Sequence, residues 1–360
     1  MNQDRFNRVI QEMEREGISQ MVVTNPHSIH YLTGHYEEPY ERFWAFYLNR
    51  DGRHSLIANR LFTLDEVFGT EILWYEDGQD GPELLNTCID HTKPLGVDGG
   101  MAARFLLRLM ELNAAPSYCL SSACMDRVRA HKDQEEQEKM RRASRINDAA
   151  MAEFKKLIRP GVTEREIAGR LQEIYQSLGG EKLSFSPSVA FGGNAACGHH
   201  EPDDTVLKKG DCVLLDVGCV ADGYCSDMTR TFFFGEASPE RRRVYETVLR
   251  AQEAAEAAVR PGVPLREIDK VARDVISQAG YGEYFTHRLG HFIGTEVHEK
   301  GDVSPSSDLV AEPGMIFSIE PGIYLPDDVG VRIEDLVLVT EEGAEILNFY
   351  PKELQIVEAE

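Results

Sequence analysis

The sequence lacks long apolar runs, and its cysteines form no pairing pattern. Its 360 residues include seven cysteines, an odd number, and no Cys-x-x-Cys motif. A disulfide framework or a zinc–thiolate site is therefore not expected. No apolar stretch approaches the roughly 20 residues of a membrane-spanning helix, and the first residues contain no apolar core of a signal peptide. These absences predict a cytoplasmic protein without a membrane partner.

Positive charge is also scarce. The chain has 38 Lys and Arg against 61 Asp and Glu, which gives a net charge of −23. A field of this sign repels phosphate backbones, so no nucleic-acid partner is expected. The hydrophobic content of 42% is that of an ordinary globular protein, and the length is sufficient for two domains.

A repeat about 100 residues apart organises the C-terminal part of the chain. Residues 160–167 return as residues 261–268, and both copies begin Pro-Gly-Val and contain Arg-Glu-Ile. A helix-like stretch, a histidine-containing loop and a strand follow each copy. Each strand runs from a glycine to an acid six positions later, at residues 210–216 and 314–320. A pseudo-two-fold relating the copies would bring four carboxylates and several histidines around one cavity.

Hydrophobic spacing predicts the elements on either side of a charged segment at residues 131–139. Before it, strands at 21–24, 43–48, 55–58, 71–75 and 95–98 alternate with helices, and Asn25-Pro26 is predicted as a turn. After it, two pairs of helices precede the two strand regions. Thr163 and Glu166 form a candidate capping box at the start of the second helix.

The first hairpin places two acids on one face. A two-residue loop at residues 221–222 sets Asp216 and Asp227 directly opposite each other, whereas an Asp-Gly loop at 222–223 pairs Asp216 with Thr229. Both registers keep the acids on the same face, because side chains alternate with period two. Facing like charges destabilise a sheet, so a cation is expected between them. The second hairpin supplies Glu320 and Glu334, with its turn at residues 327–330.

Histidines accompany these acids. Five of the 11 histidines fall into two clusters, His199 with His200, and His287, His291 and His298. Carboxylates combined with imidazole favour a pair of manganese, cobalt or zinc ions roughly 3.5–4 Å apart. Such a site is typical of metal-assisted hydrolysis.

These motifs resemble the pita-bread metallopeptidases, the family of methionine aminopeptidase, aminopeptidase P and prolidase, with creatinase as a non-metal relative. The resemblance implies an α+β pita-bread catalytic domain with an internal pseudo-two-fold at residues 131–360, and a smaller α/β N-terminal domain at 1–130. It rests on six motifs: Asp216-Val217-Gly218, Ser226-Asp227-Met228-Thr229-Arg230-Thr231, His287-Arg288-Leu289-Gly290-His291, Glu296-Val297-His298-Glu299, Ser318-Ile319-Glu320-Pro321-Gly322 and Val331-Arg332-Ile333-Glu334-Asp335.

The resemblance also implies roles for particular residues. It implies two divalent ions, with manganese favoured and cobalt or zinc as alternatives, held by Asp216, Asp227, His291, Glu320 and Glu334. It implies His199, His298 and Glu320 as catalytic residues, and His287 and Arg332 as substrate-binding residues. His200 competes with His199, but His199 lies 17 residues before Asp216, which is the family spacing.

An N-terminal domain of about 130 residues resembles that of the prolidase and aminopeptidase P branch. It implies cleavage of Xaa-Pro bonds in proline-containing peptides and a homodimer, with Trp44 either in the core or lining the partner's site. Several microbial dipeptidases carry an arginine after the second catalytic histidine. Residues 298–302 lack one, which leaves Lys300 or Arg332 to bind a substrate carboxylate. A non-peptide C–N hydrolase and a non-catalytic binding module are the alternatives.

Overall fold

The computed structural model describes residues 2–64, 69–198 and 200–359. The chain divides into two compact units, Met1–Arg129 and Ala130–Glu360. Within the described ranges, none of the helices combines the length and the apolar character needed to cross a membrane.

The first unit is a six-stranded mixed sheet with helices. The elements are α1 (Gln3–Arg15), β1 (Gln20–Val23), α2 (Pro26–Thr33), β2 (Ala45–Asn49), β3 (His54–Asn59), β4 (Glu71–Tyr75), α3 (Gly81–Asn86), β5 (Leu95–Val97), α4 (Ala103–Glu111), β6 (Tyr118–Leu120) and α5 (Ser122–Ala130). The sheet order is β4-β3-β2-β1-β5-β6. The pairs β1–β5, β5–β6 and β3–β4 are parallel.

The structure of the first unit bears on two predictions, the turn at Asn25-Pro26 and the location of Trp44. The predicted turn at Asn25-Pro26 is wrong, because these residues start α2. The Asn25 side chain accepts a hydrogen bond from the backbone N–H of Ser28 at 2.8 Å, and Pro26 occupies the first helical turn, where its missing N–H costs nothing. Trp44 is 2% exposed and packs edge-on against Phe62 in the core of this unit.

In its described residues the second unit combines four α-helices with strands that are mostly antiparallel, the α+β arrangement that the repeat predicts. Its elements are α6 (Gln134–Lys155), α7 (Glu164–Ser177), β7 (Lys182–Leu183), β8 (Ser188–Phe191), β9 (Cys212–Val217), β10 (Cys219–Ala221), β11 (Tyr224–Cys225), β12 (Met228–Phe234), α8 (Pro239–Ala258), α9 (Leu265–Gln278), β13 (Gly290–Phe292), β14 (Glu299–Val303), β15 (Ile316–Ile319), β16 (Gly322–Leu325), β17 (Val329–Arg332), β18 (Asp335–Val339), β19 (Ala344–Ile346) and β20 (Gln355–Val357). Strands β12 and β20 pair in parallel.

Its two halves repeat one plan. Helices α6 and α7 precede the sheet β20-β12-β9-β8, and helices α8 and α9 precede the sheet β14-β13-β15-β18-β19. The capping box at Thr163 and Glu166 is present, with both reciprocal hydrogen bonds. Buried apolar side chains from α8, α9 and both sheets share one core cluster. The histidine loops and hairpins of both halves are thereby fixed to a single core.

The turn conformation decides the register of the first hairpin. Asp222 and Gly223 both have left-handed backbones, with φ of 51° and 75°, which is the two-residue turn typical of Asp-Gly. Thr229 therefore pairs with Asp216, the second of the two predicted registers. In the second hairpin Gly322 pairs with Arg332 and Leu325 with Val329, so that turn lies at residues 326–328 and not at the predicted 327–330.

Two glycines allow backbones to approach closely, Gly218 within the first hairpin and Gly290 between β13 and β15. A Cβ at Gly218 would lie 2.0 Å from the carbonyl oxygen of Ser226, and one at Gly290 would lie 1.8 Å from that of Ser318. Neither position has room for a side chain. These contacts bring the strands that carry the predicted ligands close together.

Buried side chains of β12 join the two halves. Arg230 donates to the Asp335 carboxylate and to the carbonyl oxygen of Glu334, each at 2.7 Å. The Thr231 hydroxyl donates to the carbonyl oxygen of Arg332 at 3.0 Å. Asp335 also pairs with Lys352 at 2.9 Å. The hairpin of the first half is therefore bonded directly to that of the second.

Candidate metal centre

A cavity of about 170 Å³ lies where the two hairpins and the second histidine loop meet. All five predicted metal ligands line it. Asp216 comes from β9, Asp227 directly precedes β12, and His291 lies on β13. Glu320 directly follows β15 and Glu334 directly precedes β18. The remaining lining residues are Phe185, Val297 and His298.

The donor atoms converge on one point. Asp227, His291 and Glu334 each offer an atom within 4.8 Å of the other two. His291 Nε2 lies 3.6 Å from Asp227 Oδ2 and 3.4 Å from Glu320 Oε1. His291 Nδ1 lies 3.2 Å from the carbonyl oxygen of Phe292. Because a carbonyl only accepts, this nitrogen carries the proton, and the lone pair of Nε2 faces the carboxylates.

Three carboxylate oxygens in the cavity are buried without a hydrogen-bond partner among the described residues. They are Asp216 Oδ1, Asp227 Oδ1 and Glu334 Oε1. An unpaired buried carboxylate oxygen costs several kcal/mol when it is charged, so three together favour a bound cation. Four carboxylates and one imidazole nitrogen are a donor set that manganese, cobalt and zinc accept. These residues therefore fit one or two divalent ions.

The electrostatics of the cavity agree with this fit. Burial, followed by repulsion from neighbouring carboxylates, raises the pKa values of Asp227 and Glu334 well above their usual range. Burial also raises the pKa of Glu320 to about 7. Burial, with a smaller effect of His298, lowers the pKa of His291 to about 3. A cation can replace the protons that this cluster would otherwise hold.

Arg332 is buried and bonded to protein groups. Its Nη2 donates to Asp216 Oδ2, its Nη1 to the Tyr324 hydroxyl at 2.8 Å, and its Nε to the Thr229 hydroxyl at 3.1 Å. Thr229 in turn donates to Glu334 Oε2 at 2.6 Å. Each of the three guanidinium nitrogens therefore has a protein acceptor, and the geometry orients two predicted ligands.

His287 lies beside this network. Its Nε2 is 2.8 Å from the Tyr324 hydroxyl and its Nδ1 is 2.7 Å from the carbonyl oxygen of Arg288. Burial lowers the pKa of His287 to about 4, so the ring is neutral near pH 7. The chain Arg332–Tyr324–His287 is therefore joined to the cavity through Asp216, and none of its three residues is among the described lining residues.

Of the two predicted catalytic histidines, the structure describes His298 but not His199. His298 lines the cavity, and its ring centroid lies 4.2 Å from that of His291 at a steep angle. Burial lowers the pKa of His298, which favours its neutral form. His199 lies outside the described residues. Its competitor His200 is absent from the described lining residues, and its Nε2 donates to Glu164 Oε2 at 2.5 Å, so His200 is already engaged elsewhere.

Sequence reasoning missed several residues of the site. Tyr324 and Phe185 carried no signal, because their positions depend on packing between elements distant in sequence. Val297 lies in one of the six motifs, next to His298, but no role was predicted for it. Thr229 and Ser318 were detectable, since each lies two positions from a predicted ligand on the same strand face. Ser318 Oγ accepts from the backbone N–H of His291 at 3.0 Å and donates to Glu320 Oε1 at 3.1 Å.

Comparisons with known proteins agree with the geometry. The family model described as "Metallopeptidase family M24" matches residues 138–341, and the model described as "Creatinase/Prolidase N-terminal domain" matches residues 5–131. An uncharacterized peptidase of Staphylococcus aureus (strain MW2) is 36% identical over 356 residues, 97% of this chain and 99% of the relative. A dipeptidase structure from Pyrococcus horikoshii OT3 is 34% identical with a TM-score of 0.91, covering 98% of this chain and 100% of its own. A Xaa-Pro dipeptidase structure from Bacillus anthracis is 32% identical with a TM-score of 0.91, covering 99% of both chains. The predicted pita-bread fold is confirmed.

Proposed function

Because the chain belongs to metallopeptidase family M24, we propose that it hydrolyses the peptide bond before proline with the help of two divalent metal ions. The substrates are Xaa-Pro dipeptides or peptides with proline in second position. One observation carries the proposal: three buried carboxylate oxygens without partners among the described residues surround one cavity. The full-length likeness to a Xaa-Pro dipeptidase supports the choice of substrate.

Asp216, Asp227, His291, Glu320 and Glu334 would hold the two ions. Asp227 and Glu334, the more buried of the four cavity acids, would contribute to both ions. Asp216 would complete the ligands of one ion, and His291 with Glu320 those of the other. Manganese is favoured by the carboxylate-rich set, with cobalt or zinc as alternatives. When bound, such ions lower the pKa of a water molecule and polarise the scissile carbonyl.

The side chains of the protein handle the proton and the developing charge. Glu320, which lines the cavity with its Oε1 3.4 Å from His291 Nε2, is proposed to accept a proton from the attacking water and to return it to the leaving nitrogen. Ser318 holds this carboxylate in place. His298 is neutral and lines the cavity, so its N–H can stabilise the tetrahedral oxygen. His199 is proposed for the same task.

The cavity also limits the substrate. Phe185 and Val297 form its apolar wall, which suits the ring of proline, and His287 and Arg332 are proposed to shape the remaining side. The resemblance of the first unit further suggests a homodimer. Both the dimer and the cytoplasmic location remain predictions.

The test compares a Xaa-Pro dipeptide, a Xaa-Pro-Xaa tripeptide and a dipeptide without proline, using full-length protein reloaded with manganese. We expect metal-dependent release of proline or cleavage before it. A D227N variant is expected to lose activity, and a D308N variant, which changes an exposed acid, is expected to keep it. Turnover only of the dipeptide without proline would refute the proline specificity. No turnover of any peptide by metal-loaded protein would favour the non-peptide C–N hydrolase.

A further inference from the structure

A second cluster of titratable groups lies outside the cavity, at the N-terminus of α7. Glu164 is the first residue of this helix, and its side chain is fully buried. His200 Nε2 donates to its Oε2 at 2.5 Å. Since the site proposed above does not use this pair, its burial needs another explanation.

The Glu164 carboxylate accepts hydrogen bonds from four residues of one loop. Its Oε1 accepts from the backbone N–H of Phe191 at 2.7 Å and from the Asn194 side chain at 3.0 Å. Its Oε2 accepts from His200 and from the backbone N–H of Asp203 at 3.2 Å. Residues 191–198 and 200–203, which together we call the first histidine loop, are therefore hydrogen-bonded to one buried carboxylate at both ends and in between. Hydrogen bonds to a charged acceptor are about twice as strong as neutral ones.

The internal repeat shows that the helix itself does not need this glutamate. Glu164 in the first copy corresponds to Leu265 in the second, which is also fully buried. The second half anchors its own histidine loop from a different position, one turn further along α9. There Asp269 accepts from the backbone N–H of Leu289 at 3.2 Å and pairs with Arg273 at 2.8 Å. Each half thus has a buried acid that fixes its histidine loop. The two acids, Glu164 and Asp269, are not at equivalent positions of the repeat.

From this geometry we propose that Glu164 and His200 are positioning residues that fix the described parts of the first histidine loop on either side of the proposed catalytic residue His199. The inference rests on the proposed function for the role of His199. Glu164, His200 and Asp203 also have the spacing of metal ligands. However, each Glu164 oxygen already accepts two hydrogen bonds from the chain, which favours anchoring over metal binding.

The kinetic test uses full-length, manganese-loaded protein and a Xaa-Pro dipeptide. E164L installs the residue that the other half carries, and H200A removes the donor. Misplacing a catalytic group by about 1 Å costs about 100-fold, so kcat is expected to fall by about that factor, with unchanged KM and manganese content. H200Q, whose amide can donate to Glu164, is expected to recover most of the loss. The double variant E164L/H200A is expected to be no worse than E164L, because the two residues act as one unit.

A matched control lies two residues away. Glu166 caps the same helix by accepting from the backbone N–H of Thr163 at 2.9 Å, and its side chain has no hydrogen bond to the described residues of the loop, so E166Q should leave kcat unchanged. A fall in kcat for E166Q equal to that for E164L, or no recovery in H200Q, would overturn the proposal. Loss of a bound ion in E164L would also overturn it and identify a metal site. If E164L does not fold, the pair H200A and H200Q decides the question.

A second readout does not depend on the substrate. Glu201 is exposed within the first histidine loop, so loosening the loop should speed cleavage after this residue by a glutamate-specific protease. Mass spectrometry of the fragments is expected to show faster cutting in E164L and H200A than in wild type and E166Q. Equal rates would contradict the anchoring. Faster cutting in a protein that turns over no proline peptide would keep the anchoring and reject the proposed function.

Discussion

Removing the negative charge of Glu320 is expected to stabilise the metal-free protein while abolishing activity. In the folded protein without metal, burial raises the pKa of Glu320 from its ordinary value of 4.5 to about 7. Between these two values the folded state holds a proton that the unfolded state releases. Stability contributed by this group is therefore present below about pH 4.5 and lost as the pH rises through about 7.

The size of the effect follows from that difference in pKa. At about 1.36 kcal/mol per pH unit, ionising the buried Glu320 costs the metal-free protein about 3 kcal/mol above pH 7. E320Q cannot ionise. Its stability relative to wild type is therefore expected to increase by about 3 kcal/mol between pH 4.5 and pH 8.

The assay is urea unfolding of chelator-treated protein at pH 5 and pH 8, followed by far-UV circular dichroism. Tryptophan fluorescence is unsuitable, because both tryptophans, Trp44 and Trp74, lie in the first unit. E342Q, which changes an exposed glutamate of the second unit, serves as the control and should follow wild type. If the difference in unfolding free energy between E320Q and wild type is the same at pH 5 and pH 8, the burial argument for Glu320 is refuted.

Three further predictions follow from particular contacts. A Cβ in G218A would meet the Ser226 carbonyl oxygen at 2.0 Å, so we expect a loss of about 3 kcal/mol in urea unfolding, whereas G169A, on the open face of α7, should be neutral or slightly stabilising. T229V removes the hydroxyl between Glu334 and Arg332; steady-state kinetics should show a 10- to 100-fold lower kcat, largely restored in T229S. In native protein a thiol reagent should modify the exposed cysteines, Cys119 and Cys197, as identified by mass spectrometry. It should spare the four buried cysteines, whose pKa values burial raises: Cys124, Cys212, Cys219 and Cys225.

The residues around the cavity were predictable where period-two alternation and the repeat both applied. Asp216 and Asp227 had to share a face in either register, and the second copy supplied Glu320 and Glu334 at matching positions. The register itself was left open, since the choice depends on the backbone of Asp222 and Gly223, which both adopt positive φ. The structure decided between two turns that the sequence allowed.

Other features could not be read from local patterns. The Arg332–Tyr324–His287 network depends on how β17 meets neighbouring strands, and no spacing rule reports that. Asn25-Pro26 was misassigned because the same residue types favour turns and helix N-termini. Glu164 resembled any acid at a helix start, although its replacement by Leu265 in the other copy was a signal that could have been used.

The bonds between the hairpins of the two halves bear on when the enzyme can first act. Thr229 contacts Glu334, and Arg230 contacts Asp335, in each case across 105 residues of sequence. Contacts of such separation form late, because a long loop must close before they contribute any stability. A growing chain that has not reached Glu334 contains only part of the donor set. The chain is therefore expected to lack peptidase activity during most of its own synthesis, and to become active only after both halves have docked.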